Sequence, residues 1–311
     1  SPLTLGRDQR KQASAKDLNA AEDYFRAALD IAPDYPAALL GLADALRVRA
    51  TVGELPREST FAEALALTRR ALELQPDFAD AYVQLGEIQH RHLWSFESAA
   101  DSYTAALEAR PGNAAAHAAY SRFLSKIGSF ADAVGQAEIA LDLDPRSARA
   151  ASSLAIRLIR AQRLDDARAV VDSMTAKHPE HADLPWLEAN WHIVSGSYRD
   201  ALAWIAQEEL AYLRLSLSAI ALQRLDRTGQ AGDALAELVE TDPDGAAFQI
   251  AEVYAQWGEL DEAFTWLERA FSQGDPGMAE LYSSVNLRNI HTDPRFPALA
   301  KRIGLPPLDP S

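Results

Sequence analysis

Cysteine is absent from the chain. That excludes disulfides, thiolate nucleophiles and cysteine-ligated zinc together, and it suits a cytoplasmic and a periplasmic setting equally. Long apolar runs are absent too. The best candidate, residues 210–225, is broken by Arg214, Ser216, Ser218, Gln223 and Arg224, so it reads as a buried helix and not as a membrane span. The N-terminus lacks the charged-then-apolar pattern of a signal peptide. Its start at Ser1 instead of Met suggests a segment of a longer protein. Basic residues are scarce beside acidic ones, 30 against 45, for a net charge of −15. Nucleic-acid backbones and anionic bilayers both select for positive charge, so neither direct nucleic-acid binding nor membrane insertion is expected.

Signatures of catalysis are also missing. There is no GxxxxGK[ST], GxGxxG or GxSxG run. The acidic pairs Asp165–Asp166 and Glu208–Glu209 are consecutive and so point to different helix faces, which keeps them from converging on a substrate. Glu188 and His192 share a face at i, i+4, but no His-Glu-x-x-His run accompanies them. The expectation is a non-enzyme with no cofactor and no metal, its histidines lying in surface turns.

What the chain does contain is a period. From Ala114 to His181 two segments superimpose at a constant offset of 34 residues: Tyr120 on Leu154, Ser121 on Ala155, Phe130 on Leu164, Ala133 on Ala167, Pro145 on Pro179. Large falls on large, small on small and proline on proline, as in a repeat array of helix pairs. The same markers recur at Tyr82, Gly86, Ala99 and Pro111, at Trp186, Ala189, Gly196 and Ala201, and at Tyr254, Gly258, Ala263 and Ala270. Small residues mark where paired helices approach: Gly86, Ser121, Ala155, Ala189 and Ala251 on first helices, and Ala64, Ala99, Ala133, Ala167, Ala201, Ala234 and Ala263 on second helices. At the start, a short helix to about Gln12 is expected to pair with a helix over residues 17–32. One extra residue is read near Leu93–Trp94, which leaves Trp94 a candidate exposed anchor. Residues 1–291 are thus expected to form the repeat array, with a candidate hinge at 207–213, where the closing proline is missing. Residues 278–290 look helical. Asp293, Pro294 and Gly304 then bound a capping helix within 292–311.

This marker order resembles the tetratricopeptide repeat. The resemblance implies an all-α, right-handed superhelical solenoid of about seven to eight helix-turn-helix pairs with a C-terminal capping helix. A narrower likeness joins residues 258–271, Asp275-Pro276-Gly277 and Asp293-Pro294-Arg295-Phe296 to the repeat region of bacterial multidomain signalling proteins. In those, an output module such as a winged-helix, adenylate cyclase or kinase domain precedes the repeats. It implies a non-enzymatic protein–protein interaction scaffold, the regulatory repeat part of a signalling or transcription-regulating protein. The alternative is a sensory domain that binds a small molecule or acidic peptide in the concave groove.

By that resemblance first helices line the groove. The groove-facing positions carry Arg47, Val48, His90, Arg91, Arg122, Lys126, Arg149, Ile156, Ile159, Arg160, Trp186, Asn190, Gln223, Arg227 and Phe248, with Asp44, Asp80, Glu87, Asp183, Asp226 and Glu252 as their acids. In the two regular central repeats the tally is four basic residues and no acid. Lys126 and Arg160 close their helices, where cations suit the macrodipole; Arg122 and Arg149 have no such explanation. The expected ligand site is therefore Arg91, Arg122, Lys126, Arg149, Ile156, Arg160, Trp186 and Asn190, taking a protein or peptide partner with acidic character. A homodimer through exposed Trp or Tyr faces is left open.

Overall fold

The computed structural model describes the backbone of residues 2–51 and 54–308, with side chains from Asp17 onward. Among the described residues the only regular structure is helical. Contacts divide the chain into two compact units, Ser1–Ala119 and Tyr120–Ser311.

Unit 1 holds α1 (Pro2–Ile31), α2 (Pro36–Thr51), α3 (Arg57–Leu74), α4 (Ala79–Arg91) and α5 (Phe96–Ala109), with the start of α6 (Ala114–Lys126). The expected break near residue 12 does not occur, and α1 is one continuous helix. No proline interrupts it between Pro2 and Pro33, and Gly6 alone does not stop a helix. Within the α4–α5 pair the spacing is tight. Gly86 lies where a Cβ would be 3.0 Å from the ring of Tyr103, itself 1% exposed.

Unit 2 continues with α7 (Phe130–Leu143), α8 (Ala148–Arg160), α9 (Leu164–Lys177), α10 (Leu184–Val194), α11 (Tyr198–Ile205), α12 (Ala211–Arg224), α13 (Thr228–Thr241), α14 (Ala247–Trp257) and α15 (Leu260–Gln273). Two short 3-10 helices, Pro276–Glu280 and Val285–Ile290, stand where one helix was expected, and α16 (Arg295–Arg302) follows. The interval 207–213 is a tight connection in which Glu208 accepts the Leu210 amide and Arg214 bonds the Glu208 carbonyl. Helix crossings are made by the small residues: Ala133, Ala155, Ala167, Ala189, Ala201, Ala251 and Ala263 are all at most 1% exposed. Ser121 exploits its crossing by donating its hydroxyl to the Ala133 carbonyl at 2.7 Å. In α13 the fully buried small residue is Ala231, and the expected Ala234 sits half-buried one turn later.

The link between the two helices of a pair shows the period most clearly. Positive φ angles occur at Trp94, Gly128, Gln162 and Gly196, one per repeat at the 34-residue step, and then at Asp226 and Gly258. The chain reverses through a left-handed residue at this point in each of these repeats. Glycine takes that conformation freely, whereas a side chain costs about 1–2 kcal/mol. Trp94 itself holds the turn position that glycine fills elsewhere; the extra residue lies before it, since residues 92–95 link α4 to α5 where 127–129 link α6 to α7. Trp94 is also 37% exposed, as the sequence suggested.

The C-terminal helix stops at Gly304 as expected but starts one residue later, with Pro294 at the cap position and Arg295 first in the helix. Asp293 accepts the Arg295 amide at 2.9 Å, and Gly304 turns left-handed after Ile303.

Candidate functional site

The inner face of unit 2 is built from the ends of α6, α8, α10, α12 and α14. The C-terminal 3-10 segment closes it. That segment is positioned by the Asp275-Pro276-Gly277 turn. Asp275 accepts the Phe248 amide at 3.1 Å and the Gly277 amide at 2.7 Å, which ties the turn to the start of α14. Gly277 lies so close that a Cβ would be 2.6 Å from that of Phe248, so this approach requires glycine. Beyond it, Gln256 donates to the Asn286 carbonyl at 2.8 Å and Asn289 to the Ala255 carbonyl at 2.5 Å. Met278, Leu281, Leu287 and Ile290 are buried.

This seat turns Glu280 toward the basic stripe. Its carboxylate lies 3.3 Å from Lys126 Nζ and 3.0 Å from Arg160 Nη1, and Ser283 donates to Oε2 at 2.5 Å. Burial alone would raise the pKa of Glu280; Lys126 and Arg160 outweigh it and hold the carboxyl well below the usual range. Arg288, from the same segment, donates to the Arg160 carbonyl at the end of α8 and stands 5.8 Å over the Phe130 ring. Leu308 packs on Gly128, and the Tyr282 hydroxyl donates to the Pro306 carbonyl at 2.9 Å.

A second cation sits behind this cluster. Arg157 is 5% exposed, and its Nε has no hydrogen-bond partner among the described residues. Burial, then neighbouring Arg160, pushes its guanidinium down to about 9. Arg160, Trp186, Asn190 and Ile156 share the wall of a cavity of about 130 Å³ with Glu252 and Glu280. Glu252 accepts the Ser284 hydroxyl at 2.5 Å. Burial raises its carboxyl to about 7, against the pull of Ser284 and Asn286. Two glutamates on one cavity are thus driven apart, because only Glu280 has cations in contact.

The sign of the Glu252 effect is fixed by linkage. Its folded-state value lies above the ordinary 4.5, so the folded state binds the extra proton and stability falls as pH rises from about 4.5 to about 7. We expect Glu252→Gln to abolish this fall. Between pH 5 and pH 8 the wild type should lose about 2–3 kcal/mol relative to the variant in denaturant unfolding. His291, lowered to about 4 by burial and Arg288, acts in the opposite direction below pH 6.5 in both proteins and cancels in the comparison. Parallel profiles would contradict the assignment.

The predicted site residues therefore divide. Lys126 and Arg160 meet at Glu280; Ile156, Arg160, Trp186 and Asn190 meet at the cavity. Arg122 is half-buried beside Arg157, and Arg149 is exposed in the first turn of α8, at the opposite end from Arg160. Arg91 is exposed in unit 1, which has its own open groove of about 400 Å³ bordered by Asp44, Asp80 and Glu87. Asp44 and Glu87 there pair with Arg47 at 2.6 and 3.5 Å. Sequence reasoning missed Glu280, Arg157 and Arg288. The first and last lie outside the regular repeats or at their end, and Arg157 is not at a groove-facing position. Glu188 and His192 do face together, with Nε2 3.8 Å from Oε2, but Arg168 engages both carboxylate oxygens, at 2.6 and 2.9 Å.

Stacked antiparallel helix pairs with small residues at each crossing and a left-handed turn at a 34-residue step define a helical repeat protein. Residues 57–114, 95–148 and 122–182 match one tetratricopeptide-repeat family model and residues 245–273 another, so these segments are tetratricopeptide repeats. The fold is similar to that of a tetratricopeptide repeat protein from Parabacteroides merdae, at 14% identity and a TM-score of 0.59, covering 84% of this chain and 98% of that one. It is also similar to the type IV pilus biogenesis factor PilW, at 20% identity and 0.55, covering 68% and 98%. Yeast Tom70 is similar at 20% identity and 0.53, covering 93% and 62%. At these identities the likeness shows the fold alone. No curated protein sequence matches the chain. Proteins with these repeats generally mediate protein–protein interaction and are typically non-enzymatic scaffolds. No described helix is long and apolar enough to cross a membrane.

Proposed function

We propose that this chain is a non-enzymatic interaction module whose unit 2 recognises an acidic segment of a partner protein on its inner face. The reading rests on one observation: Lys126 and Arg160 already grip a carboxylate there, that of Glu280. A surface that holds a glutamate side chain by two charge-assisted contacts has the chemistry to hold another. Arg122 and Arg149 extend the positive charge along α6 and α8, within a chain of net charge −15. The likeness of residues 258–277 to the repeats of bacterial signalling proteins supports placing the module in a regulatory protein. A second reading, a small-molecule sensor, is favoured by the partly open cavity at Trp186 and Asn190. At about 130 Å³ it has room for about four waters' worth of ligand.

A hexaglutamate peptide titrated calorimetrically against the full chain tests the first reading. Arg122→Glu combined with Arg149→Glu should weaken binding at least tenfold, and added salt should weaken it further. Unchanged affinity in a folded double variant overturns the reading.

A further inference from the structure

The contacts that hold the C-terminal 3-10 segment are of two kinds. Toward α14 and α15 they are apolar and extensive. Met278, Leu281, Leu287 and Ile290 are each at most 1% exposed, and Asp275, Asn286 and Asn289 add backbone bonds to α14 or to its first turn. Toward α6 and α8 the apolar contact is smaller, Val285 against the core of α7–α9 and Tyr282 at Gly128, and the segment is joined there by polar bonds: the Glu280 carboxylate on Lys126 and Arg160, and Arg288 on the Arg160 carbonyl. One side of the segment is a permanent seat. The other is a clasp of ion pairs whose Coulomb gain is largely offset by desolvation.

The clasp is also unbalanced. Lys126, Arg157 and Arg160 all act on the one ionised carboxylate of Glu280, and Arg122 adds its charge beside Arg157. Glu252, which shares the cavity with Arg160 and Glu280, is largely protonated below about pH 7 and adds little countercharge there. Excess positive charge of this kind attracts a second anion, and a polyanion offers more carboxylates than Glu280 can.

We infer that Glu280 is an internal ligand of the basic stripe: an acidic segment binds unit 2 by displacing Glu280 from Lys126 and Arg160. The C-terminal segment then parts from α6 and α8 while remaining seated on α14. This rests on the reading of the inner face of unit 2 as an acid-recognising surface, and it names how that surface is regulated. In the resting chain most molecules carry their own carboxylate in the site, so an incoming segment meets a site that is only fractionally open. If the open fraction is about one in ten, apparent affinity is reduced about tenfold, and removing the internal ligand restores it.

The lack of native cysteine makes the movement directly measurable. Ala131→Cys on α7 and Ala298→Cys on α16, both exposed, accept spin labels in the full chain. Their separation is read by pulsed electron spin resonance with and without hexaglutamate, in the otherwise native chain and with Glu280→Gln. We expect one narrow distance in the native chain. Hexaglutamate, or Glu280→Gln alone, should shift it to a longer and broader distribution, and Glu280→Gln should bind the peptide about tenfold more tightly. Lys126→Gln attacks the clasp from its other side and should open the unit in the same way while weakening peptide binding. Should either variant lose its fold, the other still decides. An unchanged distance in folded Glu280→Gln overturns the inference. So does equal peptide affinity in the native and Glu280→Gln proteins, which leaves the acid-recognising surface standing. Binding to neither protein overturns that surface and, with it, the displacement.

Discussion

Replacing Glu188 by Ala is expected to lower the unfolding free energy of unit 2 by about 3–5 kcal/mol, read as a shift of the urea midpoint at constant slope. Glu188 is 3% exposed and lies on α10 facing α9. Arg168 grips it in a two-pronged geometry, at 2.6 and 2.9 Å, and the Thr175 hydroxyl stands 3.5 Å from Oε1. The same guanidinium lies 5.0 Å over the Trp191 ring, whose Nε1 donates to the Leu164 carbonyl at 2.9 Å. The hydrogen bonds to Glu188 come first among the causes that raise the pKa of Arg168. Truncation leaves that cation against an indole with Asp172, on the solvent side, as its remaining anion. The loss comes from the orphaned partner and not from the pair's own net worth, so a second change, Arg168→Met, should recover much of it. A single variant that melts like the wild type would show that water reaches this pair freely.

Arg157 should give the opposite sign. Arg157→Met is expected to raise the unfolding free energy by about 1–3 kcal/mol, again by urea denaturation. The guanidinium is taken from water in the last turn of α8, with an Nε that has no hydrogen-bond partner among the described residues. Its attraction to Glu280 is opposed by repulsion from Arg160 and Arg122. Methionine keeps the length and removes the charge. A destabilised variant would mean that Arg157 is needed to balance the half-buried Glu280 carboxylate. The two experiments differ in one respect only: Glu188 and Arg168 satisfy each other, whereas Arg157 competes with better-placed cations for one carboxylate.

Most of the architecture was legible because repeats write their packing into spacing. Ala133 and Ala167 must be small where helices cross, and Gly128 and Gly196 recur where the chain turns left-handed. The extra residue beside Trp94 was legible too, but the turn position itself was not, because a tryptophan hides what glycine would have announced. Five of the eight residues expected at the site, Lys126, Ile156, Arg160, Trp186 and Asn190, come together at Glu280 or the cavity because they occupy periodic positions. What fills the stripe was not legible, because Glu280 follows the last helix pair in a 3-10 segment with no period. A lone acid among serines carries no mark of the helix it meets more than a hundred residues upstream.

That distance has a consequence for folding. An array of repeats ordinarily melts as a one-dimensional system, since each unit touches only its neighbours and the ends can fray alone. Arg288 and Arg160, 128 residues apart, join an end of unit 2 to its interior. Closing so long a loop costs entropy that grows only as the logarithm of its length. The clasp therefore converts a stack that could unzip from its last repeat into one that must release a ring first, which couples the C-terminal repeat cooperatively to the central ones.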